Sequence, residues 1–290
     1  MQGKSREQSH HCYLCGGSKF RTREGVVRDN PALEILECRA CGLVALSSKE
    51  HIGESHYEKS GMHGGDLPSI ETWLKDTFAD DERRFDMVKS ELINRKVLDF
   101  GCGAAGFLQM AKSLASEVVG LELEERVRKY WAGKLVIYDD LEAADGDFDL
   151  ITAFHVIEHL PDPRTMLKDM AKHLKDGGRL VVEVPSSDDA LLTLYGSDAF
   201  RRFTYWSQHL FLFNAETLRQ LAVQAGLRVV SIKQFQRYPL SNHLHWLSCG
   251  KPGGHQKWSF LDTPALTEAY ASSLAAVGKC DTLIAYLERE

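Results

Sequence analysis

The informative pattern along the chain is a switch between short apolar runs and longer stretches with apolar residues at helical spacing. Residues 66–94 are polar overall, with Trp73, Phe78, Phe85, Val88 and Leu92 spaced as on one helix face, which predicts an amphipathic helix. A short apolar strand follows from Lys96, breaks at Gly101-Cys-Gly103-Ala-Ala-Gly106, and gives way to a helical run to Ser116. Val118-Val-Gly-Leu-Glu122 is a second strand ending in an acid. Nearer the start, Lys19-Phe-Arg-Thr-Arg and Leu33-Glu-Ile-Leu-Glu-Cys alternate as short strands do.

Composition narrows the setting. The 290 residues are 43% hydrophobic and 26% charged, enough to bury a real core, and the net charge is −6. That balance argues against a dominant nucleic-acid or anionic-membrane surface. No apolar run is long enough to span a bilayer, and Met1–His11 lacks the apolar segment of a secretion signal, so a cytoplasmic, reducing location is expected. Seven cysteines cannot all pair within one chain.

Four of those cysteines lie close together. Cys12-Tyr-Leu-Cys15 and Cys38-Arg-Ala-Cys41 are two Cys-x-x-Cys pairs, each followed by glycine. Each pair brings two thiolates together in a tight knuckle, and four thiolates complete a tetrahedral Zn²⁺ with no place left for water. The ion is then structural, with Cys12, Cys15, Cys38 and Cys41 as metal ligands. Two disulfides or a rubredoxin-like iron are the alternatives. His10 and His11 are expected to be bystanders. The segment resembles a zinc ribbon, whose small core needs a metal clamp. Residues 1–59 hold nine Lys/Arg against eight Asp/Glu, which is not the footprint of an RNA reader.

The glycine turn carries the second chemistry. Glycines allow close backbone approach, the next helix start offers free N–H groups, and an acid 21 residues after Gly101 can accept both hydroxyls of a ribose. The pattern is formally Gly-x-Gly-x-x-Gly, so a nicotinamide enzyme must be weighed. Asp99, two positions before the first glycine, stands where dinucleotide folds want an apolar residue. Asp99-Phe-Gly-Cys-Gly103 instead closely resembles the first motif of class I S-adenosylmethionine methyltransferases. The resemblance continues in order through Lys134–Tyr138, Asp139-Asp140-Leu141, Asp147–Phe154, His155-Val-Ile-Glu158-His159-Leu, the helix start at Asp162-Pro163, Lys175–Pro185, a helix from Asn214 to Gly226, Leu227–Ile232 and the final strand from Asp281.

That resemblance implies an α/β fold, a Rossmann-like seven-stranded mostly parallel sheet, with the small zinc ribbon at its N-terminus. It implies S-adenosyl-L-methionine as cofactor, held by Asp99, Gly101, Cys102, Gly103, Glu122, Leu123, Asp140, Leu141 and His155. The expected division is 1–50 ribbon, 51–94 helical linker or lid, and 95–290 methyltransferase domain with cap segments at about 186–213 and 236–262. Tyr195 to Phe213 holds seven aromatics in 19 residues. Trp206-Ser-Gln-His209-Leu-Phe-Leu-Phe213 resembles a run in zinc-containing sugar C-methyltransferases, whose further C-terminal domain is missing here. On that basis His209 and Tyr205 are catalytic candidates, and His155, just after the fourth strand where ligands of such sheets bind, is the third. The acceptor expected is a small molecule (sugar-nucleotide, lipid precursor or secondary metabolite) methylated at carbon or oxygen. An RNA methyltransferase using the ribbon as its grip is the alternative, and a scaffold that has lost activity is a third. His243, His245 and His255 are expected to pack or hydrogen-bond in a loop, not to bind a second metal.

Overall fold

The computed structural model describes residues 11–53, 56–59, 61–63 and 67–290; His10 lies outside them. Its strands are β1 (Phe20–Thr22), β2 (Ile35–Cys38), β3 (Val44–Leu46), β4 (Lys96–Phe100), β5 (Glu117–Leu121), β6 (Val136–Tyr138), β7 (Phe148–Phe154), β8 (Leu174–Pro185), β9 (Phe211–Leu212), β10 (Leu227–Phe235) and β11 (Thr282–Arg289). Its helices are α1 (Ile70–Leu92), α2 (Gly106–Ala111), α3 (Glu125–Trp131), α4 (Pro163–Lys172), α5 (Ala190–Thr193), α6 (Asp198–Thr204), α7 (Ala215–Gln224), α8 (Leu240–Cys249), α9 (Gly254–Lys257) and α10 (Pro264–Ala276).

Two compact units divide the chain. The first is Met1–Ser48, Ser186–Gln220 and Gln236–Asp281; the second is Lys49–Pro185, Leu221–Phe235 and Thr282–Glu290.

The second unit is built on a seven-stranded sheet in the order β10-β11-β8-β7-β4-β5-β6. Neighbours from β8 to β6 run parallel, and β11 is antiparallel to both its partners. The central strands are nearly continuous apolar runs, as strands covered on both faces must be. Val97, Leu150 and Val181 pack with Phe107 of α2 and with Val88 and Leu92 of α1. Chain order reverses between β4 and β7, so the loops leaving the C-terminal ends of β4, β5, β6 and β7 surround the crevice where such sheets bind ligands.

Local signals explain the boundaries. Ser69 caps α1 by accepting from the Thr72 N–H at 3.1 Å, so the predicted 66–94 helix begins four residues late. Asp162 caps α4, with Pro163 at its first position. The helix after the glycine turn stops at Ala111 and not at Ser116, because the Ser113 hydroxyl takes the Met110 carbonyl at 2.7 Å and competes with the helical ladder.

The first unit contains a four-stranded antiparallel sheet, β1-β2-β3-β9. A strand from outside residues 1–50 completes it: β9 pairs with β3 through Leu212 opposite Val44 and Phe211 opposite Ala45. A ribbon of three short strands leaves an apolar edge and a core too small to hold itself, and Phe211–Leu212 covers that edge. Residues 186–213 and 236–262 lie in the same compact unit as this sheet.

Candidate functional site

The turn after β4 is shaped by its backbone. Gly101 and Gly103 adopt left-handed φ values of +72° and +52°. The N–H groups of Gly101 and Cys102 both donate to the Leu121 carbonyl, at 2.8 and 2.9 Å. The next N–H, from Gly103, donates to Glu122 Oε2 at 2.9 Å, and Glu124 N–H donates to Glu122 Oε1 at 2.9 Å. One carboxylate therefore ties the glycine turn to the end of β5. Burial pushes the Glu122 carboxyl up, and the backbone N–H groups only partly offset it. Asp99, 3% exposed, accepts from the Thr152 hydroxyl at 2.7 Å, and burial lifts it to about 7. Cys102 packs against Gly120, and burial pushes its thiol well above the usual range, which makes it a packing group and not a nucleophile.

These groups wall a cavity of about 390 Å³, within the range of small-molecule sites. Asp99, Gly101, Cys102, Gly103, Glu122, Leu123, Asp140, Leu141 and His155 all line it. So do residues the sequence did not single out for this role, chiefly Tyr57, Trp73, Asp81 and Arg84. Trp73 lies over Gly103, where an added Cβ would meet its ring at 3.3 Å. Arg128 donates to the carbonyls of Glu122 and Leu123 at 2.8 and 2.6 Å and lies 3.2 Å from Asp139, bracing the loops after β5 and β6. Asp140 accepts from the Glu142 N–H at 3.2 Å.

Gly101→Ala should damage the site directly. The alanine Cβ would lie 2.6 Å from a Val156 methyl at a left-handed φ. The expected cost is about 1–2 kcal/mol of stability, read from a denaturation midpoint, together with weakened ligand binding in the cavity.

On the other wall, His155 is held between carboxylates. Its Nδ1 lies 3.0 Å from Glu158 Oε1 and its Nε2 3.2 Å from Glu183 Oε1, while both acids are fully buried. Two arginines of α1 brace Glu183: Arg83 donates to Oε2 at 3.0 Å and Oε1 at 2.8 Å, and Arg84 donates to Oε1 at 3.2 and 2.9 Å. The signal for Glu183 was visible as a lone acid within the apolar run Leu180-Val-Val-Glu-Val184.

The cysteine cluster sits in the first unit. Cys12 and Cys41 sulfurs are 3.5 Å apart, as are those of Cys15 and Cys38, and all four lie within 4.8 Å of one another. A tetrahedral Zn–S distance of ~2.3 Å implies sulfur separations of about 3.8 Å, so the four thiols have the geometry of a metal centre. A disulfide would need ~2.05 Å, and the cysteines are free. Burial opposes ionisation of Cys38, but the N–H groups of Cys41 and Ala40 outweigh it and bring the thiol down to about 7. His11 pairs its Nδ1 with the Gly16 carbonyl at 3.2 Å.

The remaining candidates also belong to the first unit. His209 follows α6 and meets the Trp206 ring edge-on at 5.5 Å. Tyr205, a catalytic candidate from the sequence, is 1% exposed, with its ring packed over Gly25. His243, His245 and His255 each have a different partner, in Tyr270 Oη, the Lys251 carbonyl and Asn242 Oδ1, at 2.7, 2.8 and 3.4 Å. All three lie on helices, His243 and His245 on α8 and His255 on α9, and not in the loop read from the sequence.

Comparison with known proteins bears on the cavity. Residues 68–232 match the family described as "Methyltransferase domain", a span that includes the glycine turn, Glu122 and His155. The chain is 28% identical over 170 residues to the ubiquinone biosynthesis O-methyltransferase of Thiobacillus denitrificans, covering 53% of this chain and 73% of that one. It is 26% identical over 218 residues to the protein of the same name from Methylococcus capsulatus, covering 68% and 90%. A solved S-adenosylmethionine-dependent methyltransferase from Archaeoglobus fulgidus superposes with a TM-score of 0.50 at 21% identity, over 76% of this chain and 95% of that one, and shares the fold. Among the described residues, no helix is long and apolar enough to cross a membrane.

Proposed function

This chain belongs to the methyltransferase domain family and is an S-adenosylmethionine-dependent methyltransferase, and from that premise we propose that it methylates oxygen or carbon of a small-molecule acceptor. The observation that carries the cofactor assignment is Glu122, fixed through both carboxylate oxygens by the N–H groups of Gly103 and Glu124 on the rim of the cavity. A carboxylate fixed in this way suits the two hydroxyls of a ribose. Asp140 and Leu141 would flank the adenine, and Asp99, Gly101, Cys102 and Gly103 would face the methionine part, with His155 beside them. Asp81, Asp99, Glu122, Asp139 and Asp140 line the cavity with Arg84 and His155, an excess of acid that suits a cationic ligand. When bound, S-adenosylmethionine supplies a methyl carbon activated by its sulfonium.

The protein's own task is to align the acceptor, exclude water and accept a proton where the nucleophile carries one. His209 is the proposed base or acceptor hydrogen-bond partner. The relatives named as ubiquinone biosynthesis O-methyltransferases support O-methylation of a small molecule. Cys12, Cys15, Cys38 and Cys41 would hold a structural Zn²⁺, since four thiolates leave no site for water.

The test uses S-adenosylmethionine labelled in its methyl group, offered with a panel of phenols, sugar-nucleotides and an RNA transcript. Label is expected in a small molecule, and His209→Ala should lower turnover while cofactor binding persists. Label found only in RNA would overturn the proposal in favour of an RNA methyltransferase.

A further inference from the structure

Glu183 is a fully buried acid near the C-terminal end of β8, inside its apolar stretch Leu180-Val-Val-Glu-Val184, and nothing in the proposed cofactor contacts uses it. Burial of a charge is costly unless it is paired, so the cluster around it must be held for a reason. Glu183 meets three basic side chains: Arg83 and Arg84 from α1, and His155 from the turn after β7. Its main-chain carbonyl also accepts from the His155 N–H at 2.8 Å. That bond anchors His155 at a left-handed φ of +56°, a strained conformation for a residue with a side chain.

Resting on the methyltransferase reading, we propose that Glu183, together with Glu158, is a positioning residue that keeps His155 doubly protonated. His155 is then a fixed cation in the cavity wall, and the base that takes a proton from the acceptor lies elsewhere. The argument is geometric. Carboxylate oxygens lie 3.0 Å from one ring nitrogen and 3.2 Å from the other. The Nδ1 contact with Glu158 is a hydrogen bond and the Nε2 contact with Glu183 an ion-pair distance without one, and a charge on the ring is what satisfies two ionised carboxylates this close. The arginine N–H groups keep Glu183 ionised, since they stabilise only its charged form.

The surroundings agree. Burial works against a charged His155, but the neighbouring carboxylates of Glu158 and Glu183 outweigh this and raise its pKa above the usual value. Behind Glu183, Asp80 lies 3.5 Å from Arg83 and Asp81 3.8 Å from Arg84, so the added cations are themselves balanced. The Phe235 and Phe154 rings stack on Arg83 and Arg84 at 4.7 and 5.0 Å and shield the cluster from water. Across the cavity Asp99 adds a further acid.

The experiment is a two-bond ¹H–¹⁵N correlation spectrum of the full chain labelled with ¹⁵N-histidine, recorded from pH 6 to 9, with His155 assigned by loss of its signals in His155→Gln. Both ring nitrogens should still resonate as imidazolium at about pH 7.5, roughly one pH unit above the ordinary histidine midpoint. Glu183→Gln and Glu158→Gln should each lower that midpoint by about one pH unit or more. A neutral ring in the wild-type protein at that pH, including one accepting from a protonated Glu158, would overturn the proposal, as would an unmoved midpoint in a folded variant. The wild-type spectrum decides the matter even if neither variant folds. Failure of methyl transfer would count against the enzymatic reading and leave the ring spectrum as it is.

Discussion

Replacing Cys38 with serine should abolish metal binding and unfold the ribbon sheet. The sheet's strands are only two to four residues long, and the Cys38 thiol closes the sulfur cluster from β2. So small a core is held by its ion, and structural zinc supplies about 10–16 kcal/mol in isolated zinc fingers. Elemental analysis should find one zinc per wild-type chain and less than half of that in the variant. Backbone exchange at Val44–Leu46 should rise toward the unprotected rate. A chelator applied to the wild-type protein should reproduce both effects, and because thiolates must be protonated to let go, metal release should become easier as the pH falls. A variant with no metal and a protected β3 strand would show that the ribbon folds unaided; iron in place of zinc would keep the four-sulfur centre and change only its ion.

The second large effect is expected at Glu183. Truncation to alanine leaves Arg83, Arg84 and His155 facing an apolar hole in β8. Removing one partner of a buried ion pair costs about 3–5 kcal/mol because the remaining charges are left uncompensated. The midpoint of denaturant unfolding should fall accordingly, with the slope unchanged. The same cluster sets an acid limit. His155 and the arginines hold the Glu183 carboxyl well below the usual carboxylate range, even though burial by itself would raise it. The corresponding stability is therefore fully present above the unfolded-state pKa of about 4.3 and is lost as the pH falls through the lower native value. His155 has the opposite sign: its raised pKa contributes stability that is complete below about 6.5 and is lost as the pH rises through its native value. Equal denaturation midpoints for wild-type and Glu183→Ala would mean that the buried cluster is dispensable.

Much of this arrangement was legible in the sequence because the signals are local. Asp99-Phe-Gly-Cys-Gly103 and Glu122 sit in adjacent strand-to-loop turns, and the residues expected from them line one cavity. The two Cys-x-x-Cys pairs likewise converge, with 22 residues between them. What escaped reading depends on long-range pairing. Phe211–Leu212 is too short to announce itself as a strand, and only the apolar edge of β3 gives it a partner. Arg83 and Arg84 look like ordinary solvated residues of an amphipathic helix until β8 brings Glu183 against them, 100 and 99 positions away. Tyr205 was placed by its neighbours in a motif, but the absence of a side chain at Gly25 makes the hole its ring fills.

The central claim is that the cavity at the ends of β4, β5 and β7 is the S-adenosylmethionine site, with Glu122 holding the ribose. Calorimetric titration of the full chain with S-adenosylmethionine tests it most directly, alongside Glu122→Ala. One site per chain is expected, with affinity reduced by more than about tenfold in the variant, the loss of charge-assisted hydrogen bonds being worth roughly 1.5–3 kcal/mol. Equal affinity in a folded Glu122→Ala protein, or no binding to the wild-type chain, would contradict the account.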